Sequence, residues 1–208
     1  MKAYSKYCTA NGKAKWNEPG NRWVMPGLPA NLDPVGYTYN DNKSHPAGFL
    51  ASHAIDFLEE RAGPGGDGRP FALWLSFFGP HTPVLPSGPA DPRDWAHEFH
   101  PPGSLCLPPN FQRIADTPRL AKAQGNYAHV SPAQHQEVLA YYYGLIAQID
   151  HNDGRVFDRL EALDLADRTL VVFTADHGEY AAEMGIWAKG AGLHDPETRV
   201  PMVMRLPG

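Results

Sequence analysis

The chain has 208 residues, of which 42% are hydrophobic and 11% aromatic, enough for one domain with a sizeable core. Its formal net charge of -5 leaves no basic excess to neutralise a phosphate backbone, which argues against nucleic acid as a partner. Because residues 1–20 are polar and no run of about 18 apolar residues occurs, the sequence predicts neither a membrane span nor a signal peptide. The cellular compartment stays open.

The first half of the chain predicts one helix and one strand between long loops. Residues 1–46 are rich in Gly, Pro, Asn and Tyr and predict ordered loop. Residues 47–61 carry apolar side chains at helical spacings and end before Gly63, which predicts a helix closed by glycine. The apolar run 71–78 predicts a strand buried on both faces. Residues 79–124 show no periodicity and predict a functional loop or insertion.

The second half predicts a long helix that leads into a central strand. Ser131, Pro132 and Gln134 form the pattern of an N-cap, a first-turn proline and a capping-box glutamine. Apolar residues then recur every three or four positions as far as Leu163, and Gly154 is the expected kink. The β-branched run 169–174 is typical of a central parallel strand. A helix that feeds a buried strand indicates an α/β fold.

Polar residues with catalytic chemistry follow both predicted strands. Residues 79–83 include His81, and residues 175–179 include Asp176 and His177. Ligands bind beyond the carboxyl ends of strands in open α/β sheets, so a site is expected there. Asp176 and His177 supply half of a divalent metal site. In the alternative interpretation, Asp176 caps the following turn and His177 makes a backbone hydrogen bond.

The whole pattern resembles the type I sulfatases of the alkaline phosphatase superfamily. The resemblance is carried by TLVVFTADHGE at 169–179, GIWAK at 185–189 and RVPMVMRLPG at 199–208. Further upstream it continues in LPPNF at 107–111, in YYGLIAQID at 142–150 and in PHTP at 80–83. It implies an alkaline phosphatase-like α/β fold, with a largely parallel central sheet and helices on both faces. We expect residues 1–208 to form an incomplete catalytic domain, with a loop-rich segment at 1–46 and an α/β core portion at 47–208.

The resemblance also implies roles for five residues. Asp176 and His177 would bind a divalent metal, Ca²⁺ in most sulfatases, although the imidazole of His177 favours Mn²⁺ or Zn²⁺. Lys189 would meet the charge that spreads over the sulfate oxygens, and His81 would bind the sulfate or protonate the leaving group. Lys6 would reach the sulfate if Tyr4-Ser5-Lys6-Tyr7 matches the family's lysine segment. The alternatives are a solvated Lys189 and a His81 that only packs in its loop.

The formylglycine nucleophile of the family is not found in this chain. Cys8 begins Cys-Thr-Ala, but the arginine of the family's Cys-x-Ala-x-Arg motif is missing. Cys106 has no such context and is expected to pack in the interior. The early strand that ends in paired aspartates, which completes the metal cage in the family, is also missing. We therefore expect either a fragment or a degenerate relative.

Three functions remain open from the sequence. The leading prediction is a metal-dependent sulfuric ester hydrolase that acts on a small-molecule or glycan sulfate ester. The second is a phosphonate or phosphate ester hydrolase of the same superfamily, which His177 favours. The third is a remnant without catalytic activity that binds an anion or a partner.

Overall fold

The computed structural model describes residues 22–23, 36–37, 42–66, 68–81, 95–101, 103–112 and 117–205. Within these residues the chain forms four α-helices: α1 (Pro46–Ala62), α2 (Pro118–Gly125), α3 (Pro132–Ala162) and the single turn α4 (Asp195–Thr198). Four short strands accompany them: β1 (Arg22–Trp23), β2 (Gly36–Tyr37), β3 (Val171–Thr174) and β4 (Met202–Arg205). No helix among the described residues is long and apolar enough to cross a membrane.

Local sequence signals set the helix ends. The capping box of α3 is complete, because the Ser131 side chain accepts from the Gln134 backbone and the Gln134 side chain accepts from the Ser131 backbone. Gly63 ends α1, as its position predicts. Gly154 neither breaks nor ends α3, so the predicted kink is wrong. A single glycine costs a helix interior only about 1 kcal/mol, which the burial of one face over 31 residues outweighs.

The described part of the segment 79–124 contains one helix that the sequence pattern did not indicate. Thr117 caps α2 by accepting a hydrogen bond from the Leu120 backbone amide at 3.2 Å. Leu120 is fully buried in a cluster with the start of α3 and the segment 180–187. The helix is only eight residues long, too short for its periodicity to stand out in the sequence.

Helices α1 and α3 pack against each other. Their carboxyl-terminal halves share an apolar cluster that includes Leu58, Val156 and Leu160. A polar network joins α3 to the segment just before α1: Gln148 and Asn152 both donate to Asn42 Oδ1, at 2.8 and 2.9 Å. Because these amides satisfy one another, they fix the start of α1 against α3.

The segment 71–78 is not a hydrogen-bonded strand, so that prediction is wrong at the level of the ladder. The ladders among the described residues are antiparallel, β1 with β2 and β3 with β4. Phe71, Leu75 and Phe77 pack onto the helices, whereas Trp74 is 87% exposed. A strand ladder needs a neighbour at hydrogen-bonding distance, and no described strand pairs with this segment.

Candidate functional site

A groove of about 1960 Å³ lies between the segment 71–78 and β3. Both walls start at the carboxyl-terminal half of α3, where Phe71 and Val171 pack in one cluster. The first wall then passes Leu145 and Ile149, which lie 3.0–3.2 Å from the position of a Cβ on Gly79. The first wall therefore runs from the carboxyl-terminal half of α3 toward its middle, and the residues that follow both walls line the same groove.

Four of the five residues implied by the resemblance line this groove: His81, Asp176, His177 and Lys189. His81 follows the first wall and stacks against Phe78, with ring centroids 4.8 Å apart. Asp176 and His177 follow β3 directly. The fifth residue, Lys6, lies outside the described residues. The side chains that follow the two walls and the lysine twelve positions after His177 thus line the same groove.

Asp176 and His177 form a local pair whose remaining ligand atoms face each other. The His177 amide donates to Asp176 Oδ1 at 2.9 Å, and His177 Nδ1 lies 2.9 Å from the Gly178 carbonyl oxygen. A carbonyl only accepts, so Nδ1 carries the proton and Nε2 keeps a free lone pair in the neutral ring. Nε2 lies 3.7 Å from Asp176 Oδ2. These local bonds are those of the capping alternative, and they leave one oxygen and one nitrogen available for a cation.

Lys189 reaches the groove because the chain folds back on itself between Glu179 and Lys189. The Tyr180 amide donates to the Ala188 carbonyl at 3.2 Å, and the Ala182 amide donates to the Ile186 carbonyl at 2.9 Å. These cross-bonds resemble those of a hairpin, so positions 179 and 189 lie opposite each other. We call residues 180–188 the lysine loop. Sequence spacing alone did not reveal this pairing.

The lysine loop is anchored to the helices through Trp187. The Trp187 indole donates to His135 Nδ1 on α3 at 2.8 Å, and the Tyr127 hydroxyl donates to the Trp187 carbonyl at 3.4 Å. Burial lowers the pKa of His135 from 6.5 to about 4, so the ring is neutral at neutral pH and accepts the indole proton. Trp187 itself is buried. The residue two positions before Lys189 is therefore fixed to the core.

On the other side of Lys189, the buried carboxylate of Glu197 holds the chain. It accepts hydrogen bonds from the amides of Gly190 and Gly192, the latter at 3.1 Å. The Tyr180 hydroxyl lies 3.4 Å from Glu197 Oε2 and 2.8 Å from His194 Nδ1. Burial and the nearby charge of Glu197 raise the pKa of Tyr180 to about 12. Lys189 is thus held on both flanks while its own side chain stays exposed.

Glu179 is a site residue that the sequence analysis did not select. It lines the groove beside Lys189, and its Oε1 atom is buried with no hydrogen-bond partner among the described residues. Burial raises the pKa of Glu179, while the backbone amides of Ala181 and Ala188 and the charges of Lys189 and His81 oppose that rise. The sequence signal for Glu179 was its position in the Asp-His-Gly-Glu motif. The sequence analysis assigned metal-ligand roles only to the first two residues of that motif, Asp176 and His177.

Cys106 does not line this groove. Cys106 is exposed, so the prediction that it packs in the interior is wrong. It lies in a segment without regular structure, where Leu105 and Leu107 beside it are the residues that face the core. Cys8 lies outside the described residues.

Comparison with known proteins identifies relatives for nearly the whole chain. A family model described as Sulfatase matches residues 4–208. The multifunctional alkaline phosphatase superfamily protein PehA of Trinickia caryophylli is 29% identical over 168 residues, which are 76% of this chain and 32% of that protein. An arylsulfatase of Clostridium perfringens is 27% identical over 191 residues, which are 90% of this chain and 35% of that protein. The chain spans about a third of the length of these curated relatives.

Solved structures confirm the fold. A phosphonate monoester hydrolase from Silicibacter pomeroyi superposes with a TM-score of 0.71 at 23% sequence identity, covering 99% of this chain and 41% of that protein. The alkaline phosphatase-like α/β fold is therefore confirmed. Among the described residues, no group of three or more His, Cys, Asp or Glu side chains is placed to hold a metal ion. The two metal ligands implied by the resemblance stand as a pair.

Proposed function

The chain belongs to the sulfatase family, and we propose that it supplies the substrate-binding half of a metal-dependent sulfate-ester hydrolase. The observation that carries this proposal is a single groove that Asp176, His177, His81 and Lys189 all line. A carboxylate, two imidazoles and an ammonium group are what a metal-bound anion requires. The ester would be a small-molecule or glycan sulfate.

Asp176 and His177 fit a divalent cation. Asp176 Oδ2 and His177 Nε2 are 3.7 Å apart, a separation at which both atoms can bind one ion. The Gly178 carbonyl fixes the ring tautomer that leaves Nε2 unprotonated, as the outer partner of a metal-bound histidine usually does. When bound, the metal would polarise the sulfate as a Lewis acid. Two protein ligands leave the coordination sphere incomplete, so we propose weak binding by this chain.

His81 and Lys189 would meet the anion. Lys189 would place a fixed positive charge beside the sulfate oxygens, where charge builds up during ester cleavage. His81 would bind the ester or hand a proton to the leaving oxygen. Lys6 would add a second ammonium group from outside the described residues. All three roles rest on the resemblance of the chain to its family, with the common groove as structural support for His81 and Lys189.

A phosphonate or phosphate ester is the second candidate substrate class, and His177 is the specific observation that favours it. An imidazole ligand suits Mn²⁺ or Zn²⁺ better than Ca²⁺, and sulfatases commonly carry an amide at this position. The fold hosts several chemistries, so likeness of fold alone does not choose among them. Affinity for a phosphonate over a sulfate would distinguish the two classes.

The first experiment tests the metal pair by NMR. The chain, with its ten histidines isotopically labelled, is titrated with Mn²⁺, whose unpaired electrons broaden nearby signals. We expect the His177 and His81 ring signals to broaden first and Asp176→Asn to abolish that selectivity. Asp158→Asn, on the exposed side of α3, is the matched control and should leave the broadening unchanged. Equal broadening of all histidines would contradict the metal assignment.

The second experiment measures anion binding and turnover. Methyl sulfate and methyl phosphonate are titrated while the His81 and Lys189 signals are followed, and the tighter ligand identifies the substrate class. No turnover of 4-nitrophenyl sulfate above background is expected, because the covalent route needs a nucleophile that the chain does not display. Turnover that disappears in Asp176→Ala would instead require a nucleophile within the chain, with Cys8 as the first candidate. If neither anion nor metal moves any signal, the chain is a remnant without a binding site.

A further inference from the structure

We propose that Glu179 is the positioning residue for Lys189. The inference rests on the proposed function for what Lys189 does, but the pairing itself follows from the lysine loop. The cross-bonds from Tyr180 to Ala188 and from Ala182 to Ile186 bring the two ends of the loop together. Glu179 and Lys189 are the residues directly outside that first cross-bond, and both line the groove.

The backbone of the loop is bent so that it serves the Glu179 carboxylate. Ala181 and Ala188 both have positive φ angles, 47° and 65°, a conformation that is unfavourable for alanine. The backbone amides of both alanines hydrogen-bond to the Glu179 carboxylate. Strained alanines on both strands of the loop, with amides that face one carboxylate, indicate that this carboxylate is held as part of the site.

One oxygen of that carboxylate is left over for a cation. Glu179 Oε1 is shut off from solvent and has no hydrogen-bond partner among the described residues. An unpaired buried carboxylate oxygen destabilises a fold unless a positive group compensates it. Lys189 and His81 line the same groove as Glu179, and Lys189 lies across the lysine loop from it. Lys189 is the flexible one, and its exposed chain loses rotamer freedom when its ammonium group is attracted to a fixed anion.

The consequence is a Lys189 side chain that is aligned before any substrate arrives. A long lysine side chain loses rotamer freedom when it is ordered, and a pre-aligned ammonium group loses less of it when an anion binds. Glu179 also repels an incoming anion, so sulfate affinity alone does not report on positioning. The position of the Lys189 ammonium group has to be measured directly.

The test is a double-mutant cycle in the absence of metal and sulfate. Urea unfolding is measured for the full chain, for Glu179→Gln, for Lys189→Met and for the double variant. If the two side chains interact, the effect of Lys189→Met on the unfolding equilibrium constant should be about fivefold smaller in the Glu179→Gln background than in the unsubstituted chain. Glu183→Gln is the matched control on the same loop, since its carboxylate accepts from Asn110 Nδ2 at 3.0 Å and should not couple to Lys189→Met.

A spectroscopic signature separates positioning from general stability. With ¹³Cε-labelled lysine, the seven lysines of the chain give resolved signals, and Lys189→Arg assigns the one of interest. We expect the Lys189 signal to lie apart from those of solvated lysines, to return to them in Glu179→Gln, and to keep its position in Glu179→Asp and Glu183→Gln. An unchanged Lys189 signal in folded Glu179→Gln, or additive effects in the cycle, would overturn the proposal.

Folding failure also gives an answer. If Glu179→Gln does not fold, the double variant decides: recovery by Lys189→Met supports the pair, and no recovery counts against it. The outcome is distinct from that of the proposed function. A coupled pair whose signals ignore methyl sulfate would refute anion binding and keep the pair, whereas a Lys189 that responds to methyl sulfate without coupling to Glu179 would refute the pair alone.

Discussion

The polar end of the groove and its apolar walls differ in how well their side chains are buried and bonded. At the polar end, the lysine loop and its flanks are fixed by side chains that are buried and bonded, such as Tyr180, Trp187 and Glu197. Along the walls, Trp74, Val172 and Phe173 are exposed although they belong to the most apolar runs of the sequence. The comparison teaches that the polar end is completed by contacts within the described part of the chain, whereas these apolar wall residues are left uncovered there.

Loss of Glu197 should be the most damaging single change at the polar end. Glu197→Ala leaves the amides of Gly190 and Gly192 without their acceptor. We expect the free energy of unfolding to fall by about 3–5 kcal/mol, as measured by urea unfolding. Glu197→Gln keeps an acceptor oxygen and should cost about half as much. Equal losses in the two variants would show that packing, and not hydrogen bonding, holds the loop.

Gly178 and Gly154 form a matched pair of glycines, one at the polar end and one on α3. A Cβ on Gly178 would lie 1.9 Å from the carbonyl oxygen of Pro196, whereas a Cβ on Gly154 meets nothing within 4 Å. Gly178→Ala should therefore destabilise the chain by about 2–4 kcal/mol. Gly154→Ala should stabilise it by about 0.5–1 kcal/mol. Thermal unfolding of both variants checks the signs, and a tolerated Gly178→Ala would contradict the tight turn after His177.

The sequence was sufficient where the signal is local. The capping box at Ser131 and the glycine end of α1 each depend on neighbours a few residues away, and the structure has them as predicted. It was insufficient where a residue acts through distant contacts. The fold-back that sets Glu179 against Lys189 depends on cross-bonds and on anchors such as His135, some 52 positions away from its partner Trp187. The prediction of a strand at 71–78 was wrong for the same reason, because an apolar run does not reveal which strand, if any, pairs with it.

Acid should weaken the polar end through His135. Its pKa is lowered to about 4 in the folded chain against 6.5 in the unfolded one, so between these values the unfolded chain binds the proton more readily. Stability is therefore fully present above pH 6.5 and is lost as the pH falls toward 4, by as much as about 3 kcal/mol. Protonation of Nδ1 also removes the acceptor of the Trp187 indole proton.

The His135 contribution is isolated by difference. Burial raises the pKa of Asp153 from 3.8 to about 6, which acts with the opposite sign, because the folded chain keeps that proton where the unfolded chain has lost it. The unfolding free energies of the full chain and of His135→Gln are compared at pH 4, 5, 6 and 7. We expect the gap between them to close as the pH falls. A constant gap would mean that His135 serves only as packing.

The smallest effect is expected on the wall, where Trp74 has a matched counterpart in Trp187. Trp74 is 87% exposed and Trp187 is 5% exposed, so the same substitution probes both regions. Trp74→Phe should change the free energy of unfolding by less than about 0.5 kcal/mol, as is usual for surface positions. Trp187→Phe should cost about 2–3 kcal/mol, because it leaves a gap and the unpaired Nδ1 of His135.

Dye binding completes the test of the wall. An exposed apolar face binds hydrophobic dyes and promotes association between chains, so Trp74→Gln should lower the fluorescence of bound anilinonaphthalene sulfonate and reduce self-association at high concentration. Trp187→Phe should leave or raise the dye signal, since loosening the core exposes further apolar surface. If Trp74→Phe destabilises the chain as much as Trp187→Phe does, Trp74 is covered in solution. The contrast between buried side chains at the polar end and exposed apolar side chains on the walls then does not hold.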